Sequence, residues 1–396
     1  MKYWILYLSL VFLSFSCDVK ENNEASPTAF SRIYHNPDAS TRFLPIDFRE
    51  VSDGGFLILG ISGDQSIYVM KTDIFGQFEW EITESGPFAR PIPSLMEVNG
   101  EFLFFALDST TFETNVLAIN TEEQTISSRI EFEDELYPLQ SFHSSSGDIF
   151  YHNYNRRTSR INIHGLTSTL GEIWTENYNV GFDQEIEREI LDNINSTEPE
   201  VPFYQGEVEG SAYFLNSFVD FNFNSLFLNP NSGTEVSRIS GFQTDASMSA
   251  LFHLDGQDFA MARFNQNGTT VVNPRVTIAF NETNDFTSEE IEGVEFPGIV
   301  ENAEVRIKTI TVSGQKYIVY AADNKDGQIS LLFYDFTSGQ FINNTTIGHN
   351  HRYCISNFLQ SSDEGLVILS QTVQAGKFNR ISLNKVSKET LESLLN

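Results

Sequence analysis

Asp53–Trp80, DGGFLILGISGDQSIYVMKTDIFGQFEW, is the stretch that decides the fold. Asp53-Gly54-Gly55 is turn chemistry, and Phe56-Leu57-Ile58-Leu59 is an apolar run that stops at Gly60. Ile67-Tyr68-Val69-Met70 is a second run, and Asp73-Ile74-Phe75-Gly76 turns the chain into a third around Phe78 and Trp80. Short apolar and β-branched runs punctuated by Gly and Asp are strands joined by tight hairpins. With Phe48 and Val51 on a preceding inner strand, the unit spans Leu44 to about Pro87. About 40 residues holding four strands is the arithmetic of a propeller blade.

Fragments like the second half of this unit recur at Leu117–Ile126, Phe227–Val236, Arg263–Val272 and Leu332–Ile342, with a longer version at Tyr154–Trp174. Fragments like the first half recur at Asn99–Leu107, Ser146–His152, Glu209–Leu215, Gly314–Ala321 and Asp363–Ser370, and Asp255–Arg263 is similar. Inner hairpins therefore begin near residues 45, 94, 138, 202, 246, 304 and 353. The expected fold is all-β, a propeller of about seven four-stranded blades, with six or eight left open by the uneven spacing. The last unit is short of an outer strand. Phe30-Ser31-Arg32-Ile33-Tyr34 is expected to supply it, which would close the ring and remove an exposed edge. The competing expectation is that Thr390–Leu395 forms that strand or a short helix.

Asp53–Trp80 resembles the DGG…hhhG…hhhhKTDxxGxxxW repeat of Bacteroidota secreted β-propellers related to the quinoprotein-dehydrogenase-like group. Asp363–Lys385 matches that repeat in part, and the other units match by pattern only. The resemblance implies propeller architecture and no particular activity, because propellers host unrelated functions. The GH…WD signature of WD40 blades is absent.

Between the third and fourth units the spacing stretches to about 64 residues and contains Asp183–Asn195, DQEIEREILDNIN. Ile186, Ile190 and Ile194 recur at i, i+4 and i+8 with Leu191 beside them, one apolar stripe on a short helix. Asp183 suits the N-cap, and Glu185 and Glu187 suit the first turn. Long insertions on one face of a propeller are where function tends to reside. Ile186, Ile190, Leu191 and Ile194 are therefore the candidate binding residues; the alternative is a helix that packs its stripe on the rim.

Residues 1–16, MKYWILYLSLVFLSFS, read as a signal peptide, since the apolar run is too short for the roughly 20 residues of a membrane span. Ser14-Phe15-Ser16-Cys17 resembles a degenerate bacterial lipobox, which implies a diacylated Cys17 as the mature N-terminus. Residues 17–28 read as a flexible tether and residues 29–396 as a single propeller domain. Lys20-Glu21 resembles in part the surface-export signal of Bacteroidota lipoproteins. The expected address is the outer membrane, lipid-anchored and facing the cell exterior, with the periplasmic face as the alternative. Cys354 would then have no partner for an intrachain disulfide and is expected to be a buried, inert strand thiol.

A formal net charge of -30 at pH 7 argues against nucleic acid as a partner and disfavours anionic lipid headgroups. His349 and His351 alternate, but without a nearby carboxylate or thiolate they read as a polar loop. Asp323-Asn324-Lys325-Asp326-Gly327 superficially resembles the start of a calcium loop, yet its Asp-Gly between two strands reads as a hairpin. Phe218–Phe227 is read as blade interior, with Phe221 and Phe223 on one face. Asp108-Ser109-Thr110 matches a Bacteroidota O-glycosylation acceptor pattern. Nucleophile elbows, zinc-protease motifs, phosphate loops and dinucleotide fingerprints are absent, so no catalytic residue, metal ligand or cofactor is expected. The leading expectation is a non-enzymatic binding module for an outer-membrane protein or a glycan. The alternatives are a quinoprotein-like enzyme with its pocket at the central channel and a periplasmic outer-membrane assembly factor.

Overall fold

The computed structural model describes residues 29–34, 41–63, 65–181, 184–196, 201–241, 247–282, 285–374 and 378–396. The expected signal peptide, the expected lipidation site Cys17, the expected tether through residue 28 and the expected N-cap Asp183 lie outside the described residues.

Among the described residues the strands form seven blades, each an antiparallel sheet of four principal strands running from the centre outward. The first blade is Phe43–Glu50, Phe56–Ser62, Ser66–Thr72 and Phe78–Thr83. The other innermost strands are Met96–Val98, Pro138–His143, Gln205–Val208, Met248–Asp255, Val305–Val312 and Tyr353–Gln360, each starting within three residues of its expected position. A two-residue strand, Phe88–Ala89, bridges the first two blades by pairing with Ser66 on one side and with Leu107 and Asp108 on the other.

Packing between neighbouring blades explains why Phe56-Leu57-Ile58-Leu59 is apolar without alternation. A strand in the middle of a blade has sheets against both of its faces, so both sets of side chains are buried. Phe56 and Ile58 pack with Val367 and Leu369 of the seventh blade. Leu57 and Leu59 pack with Leu95, Phe104 and Leu117 of the second. The polar letters of the motif have their own task. Lys71, buried on the third strand, reaches the Asp53 carboxylate of the turn at 2.9 Å, Glu79 at 3.0 Å and the Thr72 carbonyl at 2.7 Å. The seventh blade repeats the arrangement with Lys385 and Asp363 at 2.6 Å. Asp and Lys in this repeat pin a hairpin turn to the strand beyond it.

Phe30–Ile33 is the outer strand of the seventh blade and pairs antiparallel with Phe378–Val386, so the ring closes with its N-terminal strand. Ser31 Oγ donates to Asn384 at 2.6 Å, and the Tyr34 hydroxyl donates to the Gly76 carbonyl at 2.8 Å. Gly76 has φ +67°, and a Cβ there would lie 2.6 Å from the Phe30 ring, so the turn needs glycine for conformation and for contact. The C-terminal residues form a helix, α2 (Lys388–Leu395), capped by Ser387 and seated by Leu391 and Leu395 between the last two blades. The two competing expectations therefore each hold in part: the strand comes from the N-terminal segment, and Thr390–Leu395 is helical.

Strand direction gives the disc two distinct faces. Turns between first and second strands and between third and fourth lie on one, here called the hairpin face. Turns between second and third strands, and the links between blades, lie on the other, the crossover face. Phe30 pairs with Lys385 and Ile33 with Ser382, so the chain preceding Phe30 leaves from the hairpin face, as α2 does. The insertion helix α1 (Gln184–Asn195) links the third blade's outer strand, Glu172–Asn179, to the fourth blade's inner strand and lies on the crossover face.

Three details differ from expectation. Phe221 is not blade interior; it sits in a turn with φ +70°, is 51% exposed, and lays its ring over Gly181, while Phe218, Phe223 and Phe227 are buried. Arg263–Val272 is the hairpin between second and third strands of the fifth blade, not between third and fourth. Its Asn265 carboxamide accepts the Asn267 and Thr269 amides, the same turn chemistry that Asn229 uses in the outer hairpin of the fourth blade, so the two look alike in sequence. The fifth blade's outer connection instead runs through residues 278–293 and lends Asp285–Thr287 as a fifth, parallel strand to the fourth blade.

Candidate functional site: the central channel and the helix-bearing face

The innermost strands surround a channel, and period-two alternation turns pairs of residues toward it: Asp47 and Arg49, Ser141 and His143, Arg306 and Lys308. These residues line a cavity of about 720 Å³. Four inner strands carry a bulge at the equivalent place, between Pro45 and Asp47, Pro138 and Gln140, Met248 and Ala250, and Ile355 and Asn357. A bulge re-aims the side chain that follows it. Asp47 and Asn357 each accept the amide of the next residue at 2.8 Å. Asp47 also accepts the Leu95 amide at 2.7 Å and the Asn357 side-chain amide at 2.5 Å. One buried carboxylate thus joins the seventh, first and second blades.

The channel cations are not equally engaged. Arg306 donates to the Ser356 carbonyl at 2.9 Å and pairs with Glu304 at 2.5 Å. Arg49 has a single long contact, to the Leu95 carbonyl at 3.5 Å. Lys308 makes no hydrogen bond or ion pair among the described residues, and its ammonium lies 5.7 Å from the centre of the Phe358 ring. Lys308 is half-buried, and its partial desolvation lowers its pKa to about 8; Asp47 opposes that shift, and the charges of Arg306 and Arg49 add to it.

On the crossover face the channel opens into a mouth of about 430 Å³ that includes Glu304, Arg306, Asp323, Arg352 and Cys354. Asp323 turns into this mouth and accepts the Ile355 amide at 2.7 Å, while Asn324 makes the hairpin turn that follows. Burial pushes Asp323 up to about 6, with the Glu304 charge adding to the rise. Cys354 is half-buried, not fully buried as expected; desolvation raises its thiol to about 12, which keeps it protonated at neutral pH. Because folding raises the Asp323 pKa above the roughly 3.9 of an unfolded chain, the folded state binds the extra proton between about pH 4 and 6. This contribution is most favourable below pH 4 and is lost as pH rises through 6. Asp323→Asn will therefore flatten the decline in stability between pH 4 and 7 by up to about 3 kcal/mol. Urea melts at several pH values read this directly; parallel wild-type and variant profiles would refute it.

Beside the mouth lies a crevice of about 420 Å³ bounded by Arg188, Asp192 and Asn193 of α1 and by Val201, Phe223 and Phe264. Ser196 and Asn302 line both spaces, so crevice and mouth adjoin. Of the residues singled out from the helix pattern, Ile186 and Ile190 are buried and Leu191 and Ile194 half-buried, all packed on the core between the third and fourth blades. The stripe holds the helix down; Glu185, Arg188 and Asp192 are what α1 shows to solvent. Glu187 fixes the helix further, accepting the Tyr154 hydroxyl at 2.8 Å and Arg156 Nε at 3.0 Å.

His349 and His351 are exposed on the loop between the last two blades, and no group of three or more metal-ligating side chains occurs among the described residues. Neither the cation set nor the Asp323–Glu304 pair was visible in sequence. Arg49 and Lys308 are 259 positions apart, and only ring closure brings them together.

No protein-family model matches the chain, and neither does any curated protein sequence. Among solved structures, the chain is similar to the Dos1 propeller, with TM-score 0.46 and 10% identity over 84% of this chain and 76% of that one. It is similar to Drosophila Plexin A, solved in complex with Semaphorin 1b, with TM-score 0.47 and 10% identity over 90% and 86% of the two chains. It is also similar to a putative 6-phosphogluconolactonase from Bacteroides uniformis, with TM-score 0.48 and 12% identity over 86% and 94%.

Proposed function

We propose that this protein is a lipid-anchored outer-membrane propeller of the Bacteroidota secreted type that binds a protein partner on its crossover face. One observation carries the reading: the chain leaves Phe30 on the hairpin face, while α1, its crevice and the channel mouth lie on the opposite face. An acylated Cys17 would hold the hairpin face toward the membrane on a leash of about 12 residues, roughly 40 Å at full extension. The crossover face then points away from the membrane, with the exposed charges of α1 over the crevice. Facing the cell exterior suits a protein partner that projects above the membrane surface.

Cys17→Ala will abolish incorporation of labelled palmitate and release the protein from the membrane fraction; retention of both would sink the anchor. Protease shaving of intact cells distinguishes external display, which predicts loss of the protein, from the periplasmic assembly role, which predicts survival. A photo-crosslinker placed at Arg188 should capture a discrete partner, and one at Gly100 on the hairpin face should not. Equal capture at both positions, or at neither, would remove the face assignment. A second reading, chemistry in the channel mouth, is favoured by the two carboxylates Asp323 and Glu304, both raised in pKa first by burial. It predicts an activity that Asp323→Asn abolishes.

A further inference from the structure

The central channel holds two half-buried cations, Arg49 and Lys308, that no carboxylate pairs with among the described residues, in a chain whose formal net charge is -30. Charged groups drawn even partly out of water are ordinarily paired, because losing hydration without a partner is costly. Most channel charges obey that rule. Glu304 pairs with Arg306, and Asp47 is engaged by the Phe48 and Leu95 amides and by Asn357. Arg49 and Lys308, both half-buried where they line the channel, have no carboxylate within ion-pair distance among the described residues. A guanidinium has five N–H donors and an ammonium three. Of these, the only hydrogen bond to the protein among the described residues is the long one from Arg49 to Leu95, and the Lys308 ammonium otherwise faces the Phe358 ring at 5.7 Å. Both groups line the same 720 Å³ cavity, and the charges that bear on Lys308 are, in order, the already engaged Asp47 carboxylate, Arg306 and Arg49.

We infer that the channel is a binding site for a small organic oxyanion, a carboxylate- or phosphate-bearing molecule held between Arg49 and Lys308. The anion would replace water with charged acceptors shared by both groups and relieve the repulsion between two like charges, which together favour occupancy. The cavity is within the range of small-molecule sites, and Gln140, Gln205 and Asn357 add polar groups to its wall. This site is separate from the α1 face and stands whether or not that face binds a protein.

The test uses the mature chain with citrate and inorganic phosphate as probes, each compared with sodium chloride at equal ionic strength, since salt alone will stabilise so acidic a protein. Calorimetric titration should show one saturable site for at least one probe. Lys308→Gln and Arg49→Gln should each weaken it tenfold or more, and Lys308→Arg should largely retain it. In the wild-type protein, lysine acylation at pH 8 followed by peptide mass spectrometry should show Lys308 protected at least fivefold by the probe, with exposed Lys325 unaffected. Citrate without phosphate would assign carboxylate recognition, and the reverse phosphate. No response beyond matched chloride, or unprotected Lys308, would overturn the site, as would undiminished binding by Lys308→Gln.

Discussion

Deleting residues 28–36 will lower the melting temperature by about 5–10 °C and increase aggregation. The deletion removes the strand Phe30–Ile33 from the edge of the seventh blade, together with the Ser31–Asn384 and Tyr34–Gly76 hydrogen bonds. It also strips Phe30 from Phe56, whose ring centres lie 6.3 Å apart, and exposes the flank of the first blade. Hydrogen bonds at about 1 kcal/mol each and the burial of one Phe and one Tyr at about 2 kcal/mol each give a loss of roughly 5–8 kcal/mol. Unfolding entropy near 2.1 cal/mol/K per residue converts that to about 5–10 °C for a ring of this size. The newly exposed strand Phe378–Val386 is an unpaired edge, hence the aggregation. Scanning calorimetry with light scattering measures both. A melt unchanged within 2 °C would mean that the ring does not depend on its closing strand.

The second large effect is expected at Asp47. Asp47→Ala will cost about 3–5 kcal/mol, read as a fall in the urea midpoint at constant m-value. Alanine leaves the Phe48 and Leu95 amides and the Asn357 side chain without their acceptor, in a setting where Asp47 itself is 4% exposed. Orphaning buried donors costs far more than the net worth of the bonds they made. Asp47→Asn keeps one carbonyl oxygen and should cost about half as much. Asn357→Ala removes a donor but leaves Asp47 with its two amides, and should cost about 1–2 kcal/mol. A loss below 1 kcal/mol for Asp47→Ala would show that the blade junction is held by apolar packing alone.

What could be read from sequence follows from how local the determining interactions are. The Asp53–Trp80 blade is legible because each strand is set by its own apolar run, and each turn by Asp or Gly within a few residues. Ring closure was legible for a related reason: the last unit lacked a strand and the first residues had one spare. Arg263–Val272 misled because the Asn265 turn is chemically the same as the Asn229 turn, and turn chemistry does not say which hairpin of a blade it serves. Phe221 misled because its period-two position promised a blade face, whereas Asp220 and Phe221 adopt positive φ and turn the chain there. For α1 the pattern gave the helix and its stripe, and the stripe became the anchor to the core. The channel residues were illegible. Asp47, Lys308 and Asn357 sit on separate blades, and no spacing in the chain encodes which inner strands face one another across the axis.

The closing strand also settles how the disc would respond to force. Any pull through the chain preceding Phe30 acts at the hairpin face, roughly along Phe30–Ile33 and away from its partner strand's Ser382 end. Load in that direction shears the paired residues together instead of unzipping them singly. A molecule tugged through Phe30 would hold until the whole short strand slips, and its first mechanical event would be the opening of the ring at its seam.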